Sequence, residues 1–248
     1  MTDAAPVPMD VVILAGGKGT RLAELTHDTP KGLAPIGDRP ILWHIMSIFA
    51  AQGHRRFVIC TGYQGQRIAD HFADPANCGA DWEVVTSDAG LQASKSRRIQ
   101  VALEHVHSDR FWLAYGDDLA NVDLAAVDRQ ARESDTIVTL SAVQPMSPFG
   151  VLDLAEDGKI LGFQEKCPMS EWINGGFMSV SRAIGNYLHR GELEREVFEA
   201  LVAEGRLSAH RHRGFWKAMN THKQYLEFNE ISGETITDDT SLPWQEPA

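Results

Sequence analysis

The stretch that most constrains this chain is VVILAGGKGTRL, residues 11–22. Val11 to Ala15 is apolar at every position and β-branched at Val11, Val12 and Ile13. A run that is apolar on both faces predicts a parallel strand buried on both sides. Gly16, Gly17 and Gly19 follow directly. Three glycines in four positions let the backbone turn sharply and bring its N–H groups close to an anion. Arg21 and Lys31 add two cations nearby. A strand feeding a glycine-rich, cationic loop has the composition of a phosphate cradle. A plain tight turn is the alternative. Two known phosphate loops are excluded. The G-x-x-x-x-G-K-[ST] pattern is absent, and no third glycine completes G-x-G-x-x-G.

Apolar periodicity predicts the remaining elements. Helical spacing follows Pro40, with Ile41, Leu42, Ile45, Met46, Ile48 and Phe49, and Gly53 ends it. Strands are expected at 57–61, 82–86, 111–115 and 136–143, with helices at 66–72, 97–106 and 124–133 between them. Alternating strands and helices imply an α/β domain with a mostly parallel sheet. Beyond Pro145 the pattern changes. A hairpin is expected over 151–163, a strand at 176–181, helices at 183–189 and 193–204, a strand region over 207–219 and a helix near 221–231. Residues 1–9 read as a loose leader. Residues 10–232 read as one domain, with a nucleotide-binding half at 10–143 and a substrate-binding half at 144–232. Residues 233–248 read as an acidic tail draped over the surface or without fixed structure.

Composition narrows the class. The chain has 248 residues, 43% hydrophobic and 23% charged, enough to bury a proper core. Its net charge of −11 argues against non-specific nucleic-acid binding, which needs basic surface. A bound nucleotide needs only a few local cations and a divalent metal. Apolar runs are too short to span a membrane, and the start lacks a signal-peptide pattern, so the expected location is the cytoplasm. Cys60, Cys78 and Cys167 show neither metal-ligand spacing nor a disulfide framework. A homo-oligomer is compatible with the sequence.

Two further segments carry chemistry. Gly116-Asp117-Asp118 follows the fourth strand, so its carboxylates fall at the same sheet end as the glycine loop. Mg²⁺ takes hard oxygen ligands, often one or two carboxylates plus phosphate oxygens, and Asp117 is the candidate ligand. Asp118 reads as a cap or a solvent-facing residue. Glu165-Lys166 and Asn174-Gly175 offer polar groups for sugar hydroxyls and an ammonium for a phosphate, and Gly150 would let a ligand approach the backbone.

In order along the chain stand L-A-G-G-x-G-T-R-L, P-K, P-I-L-W-H-I-M, Y-G-D, F-G-V-L-D, F-x-E-K, I-N-G-G-F and G-F-W. Across residues 11–230 this series resembles the sugar-phosphate nucleotidyltransferases, and most of all the glucose-1-phosphate cytidylyltransferases. The resemblance implies the nucleotide-diphospho-sugar transferase fold, a Rossmann-like mixed, mostly parallel sheet flanked by helices with an α+β sugar-binding extension. It implies transfer of a nucleotidyl group, with CTP favoured, to a sugar 1-phosphate. Leu14, Ala15, Gly16, Gly17, Gly19, Thr20, Lys95 and Gly116 would bind the nucleotide. Arg21, Lys31 and Asp117 would be catalytic, and Asp117 and Asn220 would hold Mg²⁺. Gly150, Glu165, Lys166, Asn174 and Gly175 would bind the sugar phosphate. The sequence departs from the family at three places. Asn220 stands where the family has a second metal-binding aspartate. Gln92-Ala93-Ser94-Lys95 replaces Thr-Gly-Gly-Arg, and Gly32 replaces a proline. A nucleotide-sugar-binding protein without turnover, or an enzyme using another base and a non-glucose acceptor, is the alternative these departures leave open.

Overall fold

The computed structural model describes residues 7–19, 29–238 and 241–246, and the side chains among these except those of 234–238. The elements run in the order β1 (Val11–Leu14), β2 (Pro35–Ile36), β3 (Arg39–Pro40), α1 (Ile41–Ala51), β4 (Arg56–Thr61), α2 (Gly65–Ala73), β5 (Glu83–Asp88), α3 (Lys95–Ala102), β6 (Arg110–Tyr115), β7 (Asp118–Ala120), α4 (Leu124–Glu133) and β8 (Val138–Val143). They continue with β9 (Val151–Leu154), β10 (Ile160–Gln164), β11 (Ile173–Asn174), β12 (Met178–Ser181), α5 (Phe198–Ala203), β13 (Leu207–Arg211), β14 (Trp216–Ala218) and α6 (His222–Asp238).

The central sheet is eight-stranded, in the order β11-β8-β12-β6-β1-β4-β5, with β13 on the other edge of β8. Strand β1 pairs in parallel with both β4 and β6, and β4 pairs in parallel with β5. Strand β12 enters antiparallel between β6 and β8. Both faces of the central strands are buried, as their continuous apolar runs demand. Val11, Ile13, Phe57, Ile59, Trp112 and Ala114 join one core with α1. Val12, Val58, Cys60, Phe111 and Leu113 join the other with Ile99 and Ala102 of α3. Helix α1 ends where Gly53 takes φ +92, and Asp123 caps α4 by accepting the Ala126 N–H at 2.9 Å.

Strands β11 and β12 are one strand along β8, interrupted at Gly175–Phe177. Gly176 and Phe177 both take positive φ there, 74° and 45°. In the other direction β8 and β11 continue out of the sheet as a ribbon. Met169 N–H donates to Pro145 O at 2.9 Å, Ser147 N–H donates to Cys167 O at 2.8 Å, and the β9–β10 hairpin forms the end.

The second half departs from the periodicity in three places. The expected helix at 183–189 is two short 3₁₀ turns. The expected helix at 193–204 opens as a π-turn over Leu193–Val197 before α5, after Gly191 at φ +149. The strand region 207–219 splits into β13 and β14. A Cβ on Gly214 would overlap Asn121 Oδ1 and lie 2.7 Å from His212 Cε1, so the chain bends tightly there.

The expected surface tail is partly core. Helix α6 continues beyond Ile231 to Asp238, and Trp244 is 1% exposed. Its ring lies 5.5 Å from His44, 5.8 Å from Phe215 and 5.6 Å from Phe228. Tail acidity concealed this, because one large aromatic outweighs several exposed charges. Trp244→Ala should therefore cost about 3–5 kcal/mol, read as a lower urea midpoint. A midpoint equal to wild type would mean that the tryptophan is not part of the core.

Candidate active site

The strand order reverses between β1 and β6, and open α/β sheets bind ligands outside such carboxyl ends. A cleft of about 860 Å³ opens at this point. Its floor depends on two backbones touching. Gly116 N–H donates to Leu14 O at 3.0 Å, and a Cβ at residue 116 would sit 2.8 Å from that oxygen and 3.2 Å from Ala15 Cα. Only glycine lets the two loops meet.

The glycine loop rests on Arg98. The buried guanidinium donates to Thr61 O and, at 3.4 Å, to Leu91 O. A Cβ on Gly16 would overlap it and lie 2.7 Å from Thr61 O. Gly17 has nothing within 4 Å of its Cβ position, and Gly19 takes φ +62. Arg98 stands on α3, whose first turn Ser94 caps by accepting the Arg97 N–H at 3.1 Å. The glycine-free segment 92–95 thus does structural work as a helix start. Gln92, Ala93 and Lys95 line the cleft.

Opposite the loop, Lys31 Nζ lies 2.5 Å from Asp117 Oδ2 and 3.5 Å from Asn220 Oδ1. Lys31 opens a 3₁₀ turn beside α1. Gly32 is buried there, and a Cβ would sit 2.5 Å from Leu42 Cδ1, which fits a small residue at this position. Asn220 arrives through β14, which pairs antiparallel with β7, and Met219 N–H donates to Asp117 O at 2.8 Å. Asp118 does not face solvent, contrary to the sequence reading. It is 5% exposed, and burial pushes its carboxyl well above the usual carboxylate range, with the charge of Asp117 adding to the rise.

A polar network forms the far wall. Asn174 Nδ2 donates to Tyr115 Oη at 2.9 Å, and Tyr115 Oη donates to Glu194 Oε1 at 2.9 Å. Lys95 pairs with the same carboxylate and lies 4.9 Å above the Tyr115 ring. Burial, then Glu194, raises the tyrosine pKa, so the phenol keeps its proton. Trp216 Nε1 donates to Gly175 O at 2.9 Å.

Among the expected site residues, Leu14, Ala15, Gly16, Gly17, Gly19, Lys31, Lys95, Gly116, Asp117, Asn174 and Asn220 line this one cleft. Thr20 and Arg21 lie outside the described residues. Gly175 sits just behind the wall, where a Cβ would come 2.7 Å from Val143 Cγ1. Gly150, Glu165 and Lys166 are not in the lining; they stand together on the ribbon, with both side chains exposed. A Cβ on Gly150 would meet the Phe163 ring at 2.6 Å and Glu165 Oε2 at 3.1 Å, so this glycine also makes room for an aromatic ring. Sequence reasoning missed Arg98 and Glu194. Each is a charged residue on a helix or helical turn, with no local pattern to separate it from a solvated one.

The chain matches the family model described as nucleotidyl transferase over residues 10–234. It is 35% identical over 244 residues to a Bacillus subtilis protein named "Probable glucose-1-phosphate cytidylyltransferase", with 90% of this chain and 96% of the relative covered. A glucose-1-phosphate cytidylyltransferase of Salmonella typhi is 35% identical over 245 residues, with 88% and 95% covered. Among solved structures, HddC of Yersinia pseudotuberculosis shares the fold at TM-score 0.72 and 22% identity, over 90% of this chain and 98% of that one.

The two neighbouring glycines should separate on substitution. Gly16→Ala must displace Arg98 and should cost about 1–3 kcal/mol, whereas Gly17→Ala should leave the urea midpoint near wild type. Equal midpoints for the two variants would contradict the seating of the loop on Arg98.

Proposed function

The chain belongs to the nucleotidyl transferase family, and from that premise we propose that it transfers a cytidylyl group from CTP to glucose 1-phosphate. The products are CDP-glucose and pyrophosphate. Base and acceptor are read from the relatives' names. The observation that carries the reading is the Lys31–Asp117 pair, set opposite the glycine loop at the carboxyl ends of β1 and β6.

A phosphate oxygen of the sugar 1-phosphate forms a bond to the α-phosphorus of CTP. The bond from that phosphorus to the β-phosphate bridging oxygen breaks, and pyrophosphate leaves with the electron pair. The attacking oxygen is already anionic, so no general base is needed. The work is aligning two anions and offsetting their repulsion. Backbone N–H groups of residues 16–19 would face the nucleotide phosphates. Lys31, anchored by Asp117, would hold its charge where the anions meet. Arg21 would add a second cation. The Asn174–Tyr115–Glu194 network presents a fixed polar wall to hydroxyl groups, and Glu194 holds Lys95 in place. Residues 10–143 would supply the nucleotide side and 144–232 the sugar side, with Gly150, Glu165, Lys166 and Gly175 at its edge.

The donor set fits Mg²⁺. A carboxylate oxygen of Asp117 and an amide oxygen of Asn220 already converge on one cationic group, Lys31 Nζ. Asp117 and Asn220 would hold the metal, with phosphate oxygens and water completing it. Bound there, it would neutralise charge on the phosphates. Asn220 brings no charge of its own, and this favours a second reading, a nucleotide-sugar binder without turnover. No helix among the described residues is long and apolar enough to cross a membrane.

Pyrophosphate release, measured for CTP, UTP, GTP, ATP and dTTP against a panel of sugar 1-phosphates, tests the proposal. CTP with glucose 1-phosphate should give the highest rate. Asp117→Ala should lower kcat/KM by about 10²-fold or more with an unchanged circular dichroism spectrum, and Asn220→Asp should lower the Mg²⁺ requirement. Full turnover in Asp117→Ala would overturn the metal assignment. Silence of the wild type on every pair, with CTP still raising Tm, would favour the binder.

A further inference from the structure

Arg98 carries a buried charge without a counter-charge. It is 6% exposed, yet it reaches the lining of the cleft. The hydrogen bonds of its guanidinium among the described residues go to two backbone carbonyls, those of Thr61 and Leu91. No aspartate or glutamate among the described residues pairs with it. A guanidinium has five N–H groups, so two carbonyls leave most of them unused. Burying a charge is costly, and buried cations are ordinarily paired with carboxylates. A brace between two carbonyls needs no charge, because a neutral side-chain amide also has two donors. The other cations in the lining differ. Lys31 pairs with Asp117 and Lys95 with Glu194, and Lys18 is exposed.

The glycine loop lies against this charge. Gly16 packs on the guanidinium, and a Cβ on Gly62 would sit 2.5 Å from Nη1 and 2.7 Å from Nη2. The backbone N–H groups of Gly16, Gly17 and Lys18 donate to no protein acceptor among the described residues. Successive free backbone donors suit an anion. We infer that the counter-charge of Arg98 is the polyphosphate of the nucleotide, held on the glycine loop with the guanidinium behind it. The inference rests on the nucleotide-binding reading of the cleft and adds to it a residue of α3. Arg98 is then a charge placed for a ligand as well as a support for the loop. Salt screens a buried charge less than an exposed one, so Arg98 attracts the phosphates where surface lysines would be weakened.

Isothermal titration without metal and without sugar phosphate, so that no transfer takes place, tests this with CTP, CMP and inorganic tripolyphosphate. Arg98→Gln should weaken CTP and tripolyphosphate by about 30-fold or more and CMP much less, so the ratio of CTP to CMP affinity falls. Arg98→Lys keeps the charge and should restore most of that ratio. A mere brace would weaken CTP and CMP alike, so an Arg98→Gln ratio equal to wild type would overturn the inference. Wild type that binds neither polyphosphate would overturn it too. Arg98-dependent binding of tripolyphosphate without binding of CTP would uphold the charge and refute cytosine as the base. If Arg98→Gln loses structure, nitrogen-15 resonance of wild type decides. Tripolyphosphate should shift the Arg98 Nε–H signal, and a signal that stays in place overturns the inference.

Discussion

The site depends on one backbone contact, the Gly116 N–H on Leu14 O where β6 and β1 end side by side. Parallel pairing of β1 with β6 brings the glycine loop and Asp117 to one sheet end, although about a hundred residues separate them. Each neighbouring feature relies on that closeness. Arg98 supports the loop from below because Gly16 and Gly62 leave room for its guanidinium. Strand β14 reaches Asp117 only by pairing with β7, which continues directly from the same turn. A side chain at residue 116 would separate the loops and take the site apart.

The cleft meets its ligands with few net charges, placed by pairing. Lys31 sits against Asp117, Lys95 against Glu194, and Asp118 is held toward its neutral form by burial. Such pairs fix long side chains in position before a polyanion arrives, and this preorganisation is what transfer between two anions requires. The molecule's net charge of −11 does not decide what this cleft binds.

Much of the fold was legible where burial is two-sided or helical spacing is clean. The strands around Val11–Leu14, Phe57–Thr61 and Phe111–Tyr115 and the helices α1 and α4 fall where apolar periodicity places them. Legibility fell where tertiary contacts overrode local pattern. The π-turn at Leu193–Val197, the break at Gly214 and the burial of Trp244 each depend on distant residues. The candidate site divides the same way. Residues in loops after strands were found because glycines and paired acids mark them. Arg98 and Glu194 act from helical surfaces where charge is ordinary, and Asp118 looked like a turn residue until burial was known. Family resemblance supplied Asn220, a position that no local feature distinguishes.

The central claim is that a nucleotidyl group is transferred at this cleft. Its most direct test follows labelled CTP in the presence of glucose 1-phosphate and Mg²⁺. Label at the α-phosphorus should appear in the nucleotide-sugar, and label at the γ-phosphorus should appear in pyrophosphate. Release of the γ label as orthophosphate, or α label found only in free CMP, would contradict the account.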